Sequence, residues 1–285
     1  MNLTMRPGKP EDAKRCGEIC YHAFKAIAEE HHFPPDFPDA ETTIGIMNFF
    51  LSSEGVYSVV AEENGKIVGS NFLWENPFVG GVGPITVDPA CQNTTVGRQL
   101  MEQALDRAED LKLASVRLVQ AAYHNRSMAL YTKLGFNVQE PLSVIQGAAL
   151  NVRFPGYDVR PAKEADLNSC NQLCYTIHGH DRGGELTGSL KAERLFVVEY
   201  NGAITGYTTQ VGFLGHTIAS TNTGLKALIG ASAGFAGPGF LLPSRNSEVL
   251  RWCLQKGLRI VQPMTLMSKG MYNNPAGAFL PSVLY

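Results

Sequence analysis

The chain has 285 residues, of which 44% are hydrophobic and 18% charged, with a formal net charge of −2. That balance describes a globular chain with enough apolar content for one large or two ordinary domains. No basic block runs along it, which argues against nucleic acid or an anionic membrane as main partner, and no apolar stretch is long enough to span a bilayer.

In chain order, the first residues, Met1 to Lys9, lack the apolar run of a signal peptide. A short strand through Met5 and Arg6, a Pro7 turn and a helix entered through Glu11 and Asp12 follow, the acids matching the positive helix N-terminus. Residues 57–62 and 66–74, joined through Glu63-Asn64-Gly65, predict a hairpin with a tight Asn-Gly turn. A strand is expected at 82–87, a turn at 92–97, a helix at 96–111 with an apolar stripe of Val96, Leu100, Ala104 and Leu111, and a strand at 115–121. A short helix at 127–133, ended by Gly135, leads to a strand from Asn137.

The six cysteines do not form a disulfide framework in a chain of this length. Cys16/Cys20 and Cys170/Cys174 read as small buried hydrophobes rather than the start of a metal site, and a reducing, cytoplasmic location fits them. These pairs also expose a duplication. The segments 5–21 and 159–175 align without a gap, with Arg6/Arg160, Pro7/Pro161, Lys9/Lys163, Asp12/Asp166, Cys16/Cys170, Cys20/Cys174 and Tyr21/Tyr175 identical. A second hairpin is expected at 195–199 and 203–210 around Asn201-Gly202, then a strand near 216–219, a helix near 225–231, a strand near 240–243, a helix near 247–255 and a strand through 264–272. Asn151, Pro155 and Gly156 break regular structure between the copies, so the expected domains are 1–147 and 157–285.

Two stretches of the first copy carry chemistry. A helix opening after Gln92-Asn93-Thr94-Thr95-Val96-Gly97-Arg98 offers unpaired backbone N–H groups to a phosphate, and Gly97 allows close approach. Asn125 and then Ala129-Leu130-Tyr131 and Leu134-Gly135-Phe136 put an amide and a phenol on a short helix opposite that turn. An ordinary capped helix and a core tyrosine would explain either stretch alone.

Together, in this order and spacing, they resemble the GNAT superfamily of acyl-CoA-dependent N-acyltransferases, whose turn reads Gln/Arg-x-x-Gly-x-Gly/Ala. Thr95 replaces the first glycine. The resemblance covers about residues 1–145, and the whole chain resembles a tandem GNAT protein with a degenerate second copy. It implies an α/β (α+β) fold of two tandem GNAT-like domains, each a mixed, mainly antiparallel sheet flanked by helices. It further implies that Gln92, Asn93, Thr94, Thr95, Val96, Gly97 and Arg98, with Asn125, bind acetyl-CoA, that the Val87 backbone pairs with the pantetheine, and that Tyr131 protonates the departing thiolate. A phenol of pKa about 10 beside a thiol of about 8.5 suits that role. The implied co-substrates are acetyl-CoA and a primary amine on a small molecule or peptide, with no metal.

The base is not legible. The strand 83–87 carries no acid, and the candidates are Glu29, Glu30, His31, His32, Asp36 and Glu75, with Glu30 and His31 put forward for the base or acceptor site. Some tandem GNAT enzymes use the chain-terminal carboxylate, here that of Tyr285. The second copy lacks a phosphate turn, and Trp252-Cys253 occupies the region of Tyr131. It is therefore expected to complete the sheet, wall the acceptor pocket or form a homodimer. A non-catalytic acyl-CoA sensor or scaffold is the rival reading. A dinucleotide-binding oxidoreductase is excluded because no Gly-x-Gly-x-x-Gly turn follows a first strand.

Overall fold

Arg6 donates to Asp12 at 2.7 and 2.9 Å and to Glu62 Oε1 at 2.7 and 2.9 Å. Arg160 repeats the arrangement with Asp166, at 2.7 and 3.1 Å, and with Glu199. In each copy the aspartate also accepts the backbone N–H of a lysine, Lys9 or Lys163, closing the turn into the first helix. The arginine holds each aspartate below the usual carboxylate range. Identical residues thus build identical corners, and Glu62/Glu199 joins the pairs found in the sequence.

The computed structural model describes residues 3–92 and 94–284. The first half runs β1 (Leu3–Pro7), α1 (Ala13–Glu30), α2 (Ala40–Ser52), β2 (Val56–Glu63), β3 (Lys66–Trp74), β4 (Val79–Val82), β5 (Thr86–Val87), α3 (Val96–Asp110), β6 (Ser115–Ala121), α4 (Asn125–Lys133) and β7 (Asn137–Gln146). The second runs β8 (Tyr157–Pro161), α5 (Leu167–His178), α6 (Gly183–Lys191), β9 (Phe196–Tyr200), β10 (Ala203–Thr208), β11 (Thr217–Ala219), α7 (Asn222–Ala231), β12 (Phe240–Pro243), α8 (Ser247–Gln255), β13 (Arg259–Gly270) and β14 (Ala278–Leu280). Both hairpins turn through Asn-Gly with positive φ at each residue, 52° and 77° at Asn64 and Gly65, and 51° and 76° at Asn201 and Gly202. These are the values a two-residue hairpin loop requires.

A nine-stranded sheet has the order β1-β2-β3-β4-β6-β13-β7-β12, with β5 paired to β3, and a five-stranded sheet has the order β14-β11-β10-β9-β8. All pairings are antiparallel except β4 with β6. In the first half α1 and α2 cover one face, with Cys16, Cys20, Met47 and Phe50 against Val60 and Phe72. On the other face α3 sets Val96 and Leu100 on Val59, Ala61 and Val68. There α3 and α4 also pack Met101, Ala104 and Tyr131 on Val116 and Leu118. The alternation Val59/Val60/Ala61 follows from the two-residue period of a strand.

Two expectations change. The strand foreseen at 82–87 is two pieces, β4 and β5, because Pro84 has no N–H to give a ladder and Gly83 sits at φ 132°. The strand foreseen at 264–272 begins earlier, at Arg259. It is long because it threads between β6 and β7 and is paired along both edges, Met264–Gly270 to β6 and Arg259–Ser268 to β7. In turn β7 pairs with β12. Each half thus sends its strand after the short helix across to the other.

All six cysteines are free. Burial pushes the Cys16 thiol up to about 11 and the Cys170 thiol up to about 12. Among the described residues no group of three or more His, Cys, Asp or Glu could hold a metal ion, and no helix is long and apolar enough to cross a membrane.

Candidate active site

β4 pairs in parallel with β6 only over Val79–Gly81 and Ser115–Arg117. Beyond that, β5 turns away to pair Thr86 and Val87 with Ser70 and Gly69 of β3. β4 ladders with both β3 and β6, whereas β5 keeps only its pairing to β3, so past Gly81 the chain parts from β6 and a cleft opens. The cleft leads into a cavity of about 1550 Å³ whose walls include Val82 to Val87 on one side and Leu118 to Ala121 on the other.

At one end lies the turn into α3. Asp88 accepts Ala90 N–H at 3.0 Å and is ion-paired with Arg15. Gln92 donates to the Val87 carbonyl at 3.3 Å and accepts from Arg126 Nη2 at 3.1 Å. Thr94 Oγ1 donates to the Cys91 carbonyl at 2.7 Å. Thr95 is the N-cap residue but makes no cap hydrogen bond, its hydroxyl accepting from Gln99 at 3.2 Å instead. Its backbone, at φ −80° and ψ −8°, is right-handed. No glycine is needed in that conformation, which explains why threonine is tolerated where the GNAT pattern has glycine. A Cβ added at Gly97 would meet Val87 Cγ2 at 3.6 Å and Leu130 Cδ2 at 3.9 Å, ordinary contacts. Packing therefore does not demand glycine there.

Val87, Gln92, Thr94, Thr95, Gly97, Arg98 and Tyr131 all line the cavity. Val96 is buried beneath the turn, in the core with Leu100. Asn93 and Tyr285 lie outside the described residues. Tyr131 is buried at 5% exposure, its ring centroid 6.2 Å from that of Phe136. Burial pushes its phenol up to about 12, with Ser127 pulling the other way. Asn125 is the exposed first residue of α4 and is not among the lining residues. The residue that leaves β6 and caps α4 is His124, whose side chain accepts Ser127 N–H at 3.4 Å. His124 lines the cavity, and burial lowers its pKa.

The base candidates separate. Glu30 is exposed at the end of α1, Glu75 is ion-paired to Arg107, and Glu29, His31 and His32 lie off the wall. His31 Nδ1 sits 3.1 Å from the Ile27 carbonyl, and its ring is 5.3 Å from that of Tyr123. Asp36 does line the cavity and is the one carboxylate among the described lining residues. It is half-buried and accepts Gln262 Nε2 at 2.9 Å. Gln262 Oε1 in turn accepts the Tyr123 hydroxyl at 3.3 Å, and Tyr123 stacks on Phe33 at 4.3 Å. Burial raises the Asp36 carboxyl above its ordinary value, the Gln262 bond opposing it in part.

Sequence reasoning did not single out Gln120, Tyr123 and His124; a wall from the second half was among its expectations, but not the residues that line the cavity from there, Phe213, Leu214, Pro238, Met264, Val283 and Leu284 among others. A signal lay in the second copy, where Asn246 follows a strand and opens a short helix as His124 does in the first. Asn246 caps α8 by accepting Val249 N–H, as His124 caps α4, so it matches His124 rather than Asn125.

Residues 20–136 match the model of the acetyltransferase (GNAT) family. Among curated proteins none matches the sequence. Among solved structures, the chain is similar to a candidate acetyltransferase from Pyrococcus horikoshii (TM-score 0.73, 14% identity, 97% of this chain and 94% of that one). It is also similar to a GCN5-related N-acetyltransferase from Sphaerobacter thermophilus (0.62, 12%, 95% and 96%). A third likeness is to a tandem GNAT protein from the clavulanic acid biosynthesis pathway (0.57, 13%, 99% and 100%). The likenesses span both halves and concern the fold. Residues 20–136 are therefore a domain of the GNAT acetyltransferase family, set within a tandem GNAT fold.

Proposed function

We propose that the protein transfers an acetyl group from acetyl-CoA to a primary amine of a small molecule or peptide by direct attack. The observation that carries this reading is one cavity lined by the turn into α3, Tyr131 and Asp36 together. Acetyl-CoA supplies the thioester carbonyl. The backbone N–H groups of Gly97 and Arg98 would hold its pyrophosphate, with Arg98, Arg126 and Lys133 on the same wall.

The acceptor nitrogen must be neutral to attack. As its bond to the carbonyl carbon forms, Asp36 takes the proton that the nitrogen loses. A carboxyl raised by burial is a better base than a solvated one. The C–S bond breaks with its electron pair going to sulfur, and the Tyr131 hydroxyl donates a hydrogen bond to the departing thiolate. A phenol near 12 stays protonated across the neutral range. Full transfer to a thiolate of pKa about 8.5 is uphill, so the phenol keeps its proton and acts by hydrogen-bonding the charge that develops on sulfur; the released thiolate takes a proton from solvent, and Asp36 gives the amine's proton up to solvent.

The test is thiol release from acetyl-CoA with a panel of primary amines over a range of pH. Activity is expected to rise with pH through the Asp36 ionisation, at a pH above the ordinary carboxylate value of about 3.9. Asp36→Asn is expected to lose about 10²-fold or more in kcat/KM together with that limb of the profile. Tight coenzyme A binding without turnover of any amine would instead favour the sensor.

A further inference from the structure

Gln120 has an unusual place in the cavity wall. It is 6% exposed, it lines the cavity, and neither its carboxamide nitrogen nor its oxygen has a hydrogen-bond partner. Buried polar atoms are almost always paired, and an unpaired amide carries a desolvation cost that a ligand can recover. On β6 the residues Val116 and Leu118 point to the α3/α4 side, and Gln120 continues their stripe by the two-residue period. An apolar residue there would extend that core without cost. A carboxamide in its place is explained by something that enters the cavity.

The rest of the wall narrows what that is. Phe24, Ile27 and Phe37 from α1 and the segment after it share the cavity with Phe213, Leu214 and Val283 from the second half. Against these apolar surfaces stands one carboxylate, Asp36, while Arg98, Arg126, Lys133 and Arg259 also line the cavity. With Arg98, Arg126 and Lys133 on the wall given to the coenzyme A phosphates, Asp36 is left with Arg259, and one carboxylate beside one cation suits one ammonium group rather than a polycation. A carboxamide offers a donor and an acceptor side by side. A ligand ammonium would satisfy only the oxygen, and a carboxylate only the nitrogen. An amide edge satisfies both.

We infer that the acceptor, on the reading of the protein as an N-acetyltransferase, is a monoamine on an aliphatic or aromatic body that presents an amide edge to Gln120. The pantetheine arm of acetyl-CoA also carries amides, so the test separates the two sources. It reads amine binding, not turnover: calorimetry with coenzyme A present, on wild type, Gln120→Leu and, as a second apolar variant, Gln120→Met. The probes are leucinamide against isoamylamine, phenylalaninamide against phenethylamine, and spermine.

The amide-bearing member of each pair is expected to bind wild type about tenfold to a hundredfold more tightly. That preference falls to about one in both variants, with coenzyme A affinity unchanged and spermine the weakest ligand throughout. Equal binding within the pairs, tightest binding of spermine, or a preference that survives both substitutions would overturn the inference. So would a loss of coenzyme A affinity with the amine preference intact, which would give Gln120 to the pantetheine. A failure of acetyl transfer with every amine would overturn the enzyme reading instead, and is a separate measurement.

Discussion

The two halves hold the same cleft in two conditions. In the first, the chain leaves β6 after β4, β5 pairs with β3 alone, and the gap between β5 and β6 is open to the cavity. In the second, β14 pairs with β11, Thr217 to Leu280 and Ala219 to Ala278, and packs Ala278 and Leu280 with Phe240 and Leu242 of β12. The chain's own strand fills the position that a ligand's backbone-like arm would take. The helix entrances differ in the same sense. Thr95 makes no cap hydrogen bond to α3, where Thr94 Oγ1 accepts only Val96 N–H at 3.4 Å, whereas Thr221 caps α7 by accepting Gly224 N–H at 3.2 Å. Nearby, Asn222 and Lys226 already hold the Glu248 carboxylate, at 2.7 and 2.6 Å. On the nine-residue helices α4 and α8, Cys253 stands where Tyr131 does. What separates the halves is less the fold than which backbone groups it leaves for a ligand to satisfy.

The most severe way to break this comparison is at Tyr131. Tyr131→Phe is expected to lower kcat by about 10²- to 10⁴-fold while coenzyme A affinity stays level, measured by thiol release and calorimetry. If kcat is unaffected, the phenol is core and the halves do not differ in it. Next comes the plug. Leu280→Ala, at a site 1% exposed, should cost about 2–5 kcal/mol in denaturant unfolding. A negligible cost would mean that β14 merely rests on the cleft.

A third prediction concerns buried charge in the second half. His178 and His216 approach through their Nε2 atoms at 3.1 Å, Tyr207 hydroxyl lies 3.2 Å from His216 Nδ1, and His180 lies 3.4 Å from Arg117. Burial, then the nearby arginines, lowers all three histidines, His180 to about 4. Above about pH 6.5 both folded and unfolded chains keep them neutral. As pH falls from there towards 4, the unfolded chain binds protons that the folded chain refuses, so stability drops, by on the order of 3 kcal/mol from His180 alone. Unfolding free energies that stay flat from pH 7 to 4 would contradict it. The mildest change is Gly97→Ala. Its methyl fits the protein, so stability should hold or rise by up to about 1 kcal/mol, while acetyl-CoA affinity falls about tenfold if the phosphates lie where α3 begins.

Much of this molecule could be read locally. The strand at 115–121 and the helix at 247–255 lie where their periodicity places them, because each is decided by neighbours a few residues away. The exchange of β7 and β13 could not be, since Met264 pairs with Ala121 through contacts no local pattern encodes. The site divides likewise. The turn and Tyr131 carried a motif, whereas Asp36 was one acid among several until Gln262, from the other half, was seen to hold it. Nothing in the sequence marks Gln120 within the strand 115–121, and its missing partners do.

The central claim is that a single open cleft, in the first half, takes acetyl-CoA. Calorimetric titration of the full chain with coenzyme A tests it most directly. One molecule per chain, weakened by Gly97→Ala, is the predicted result; two molecules per chain, or none, would contradict it.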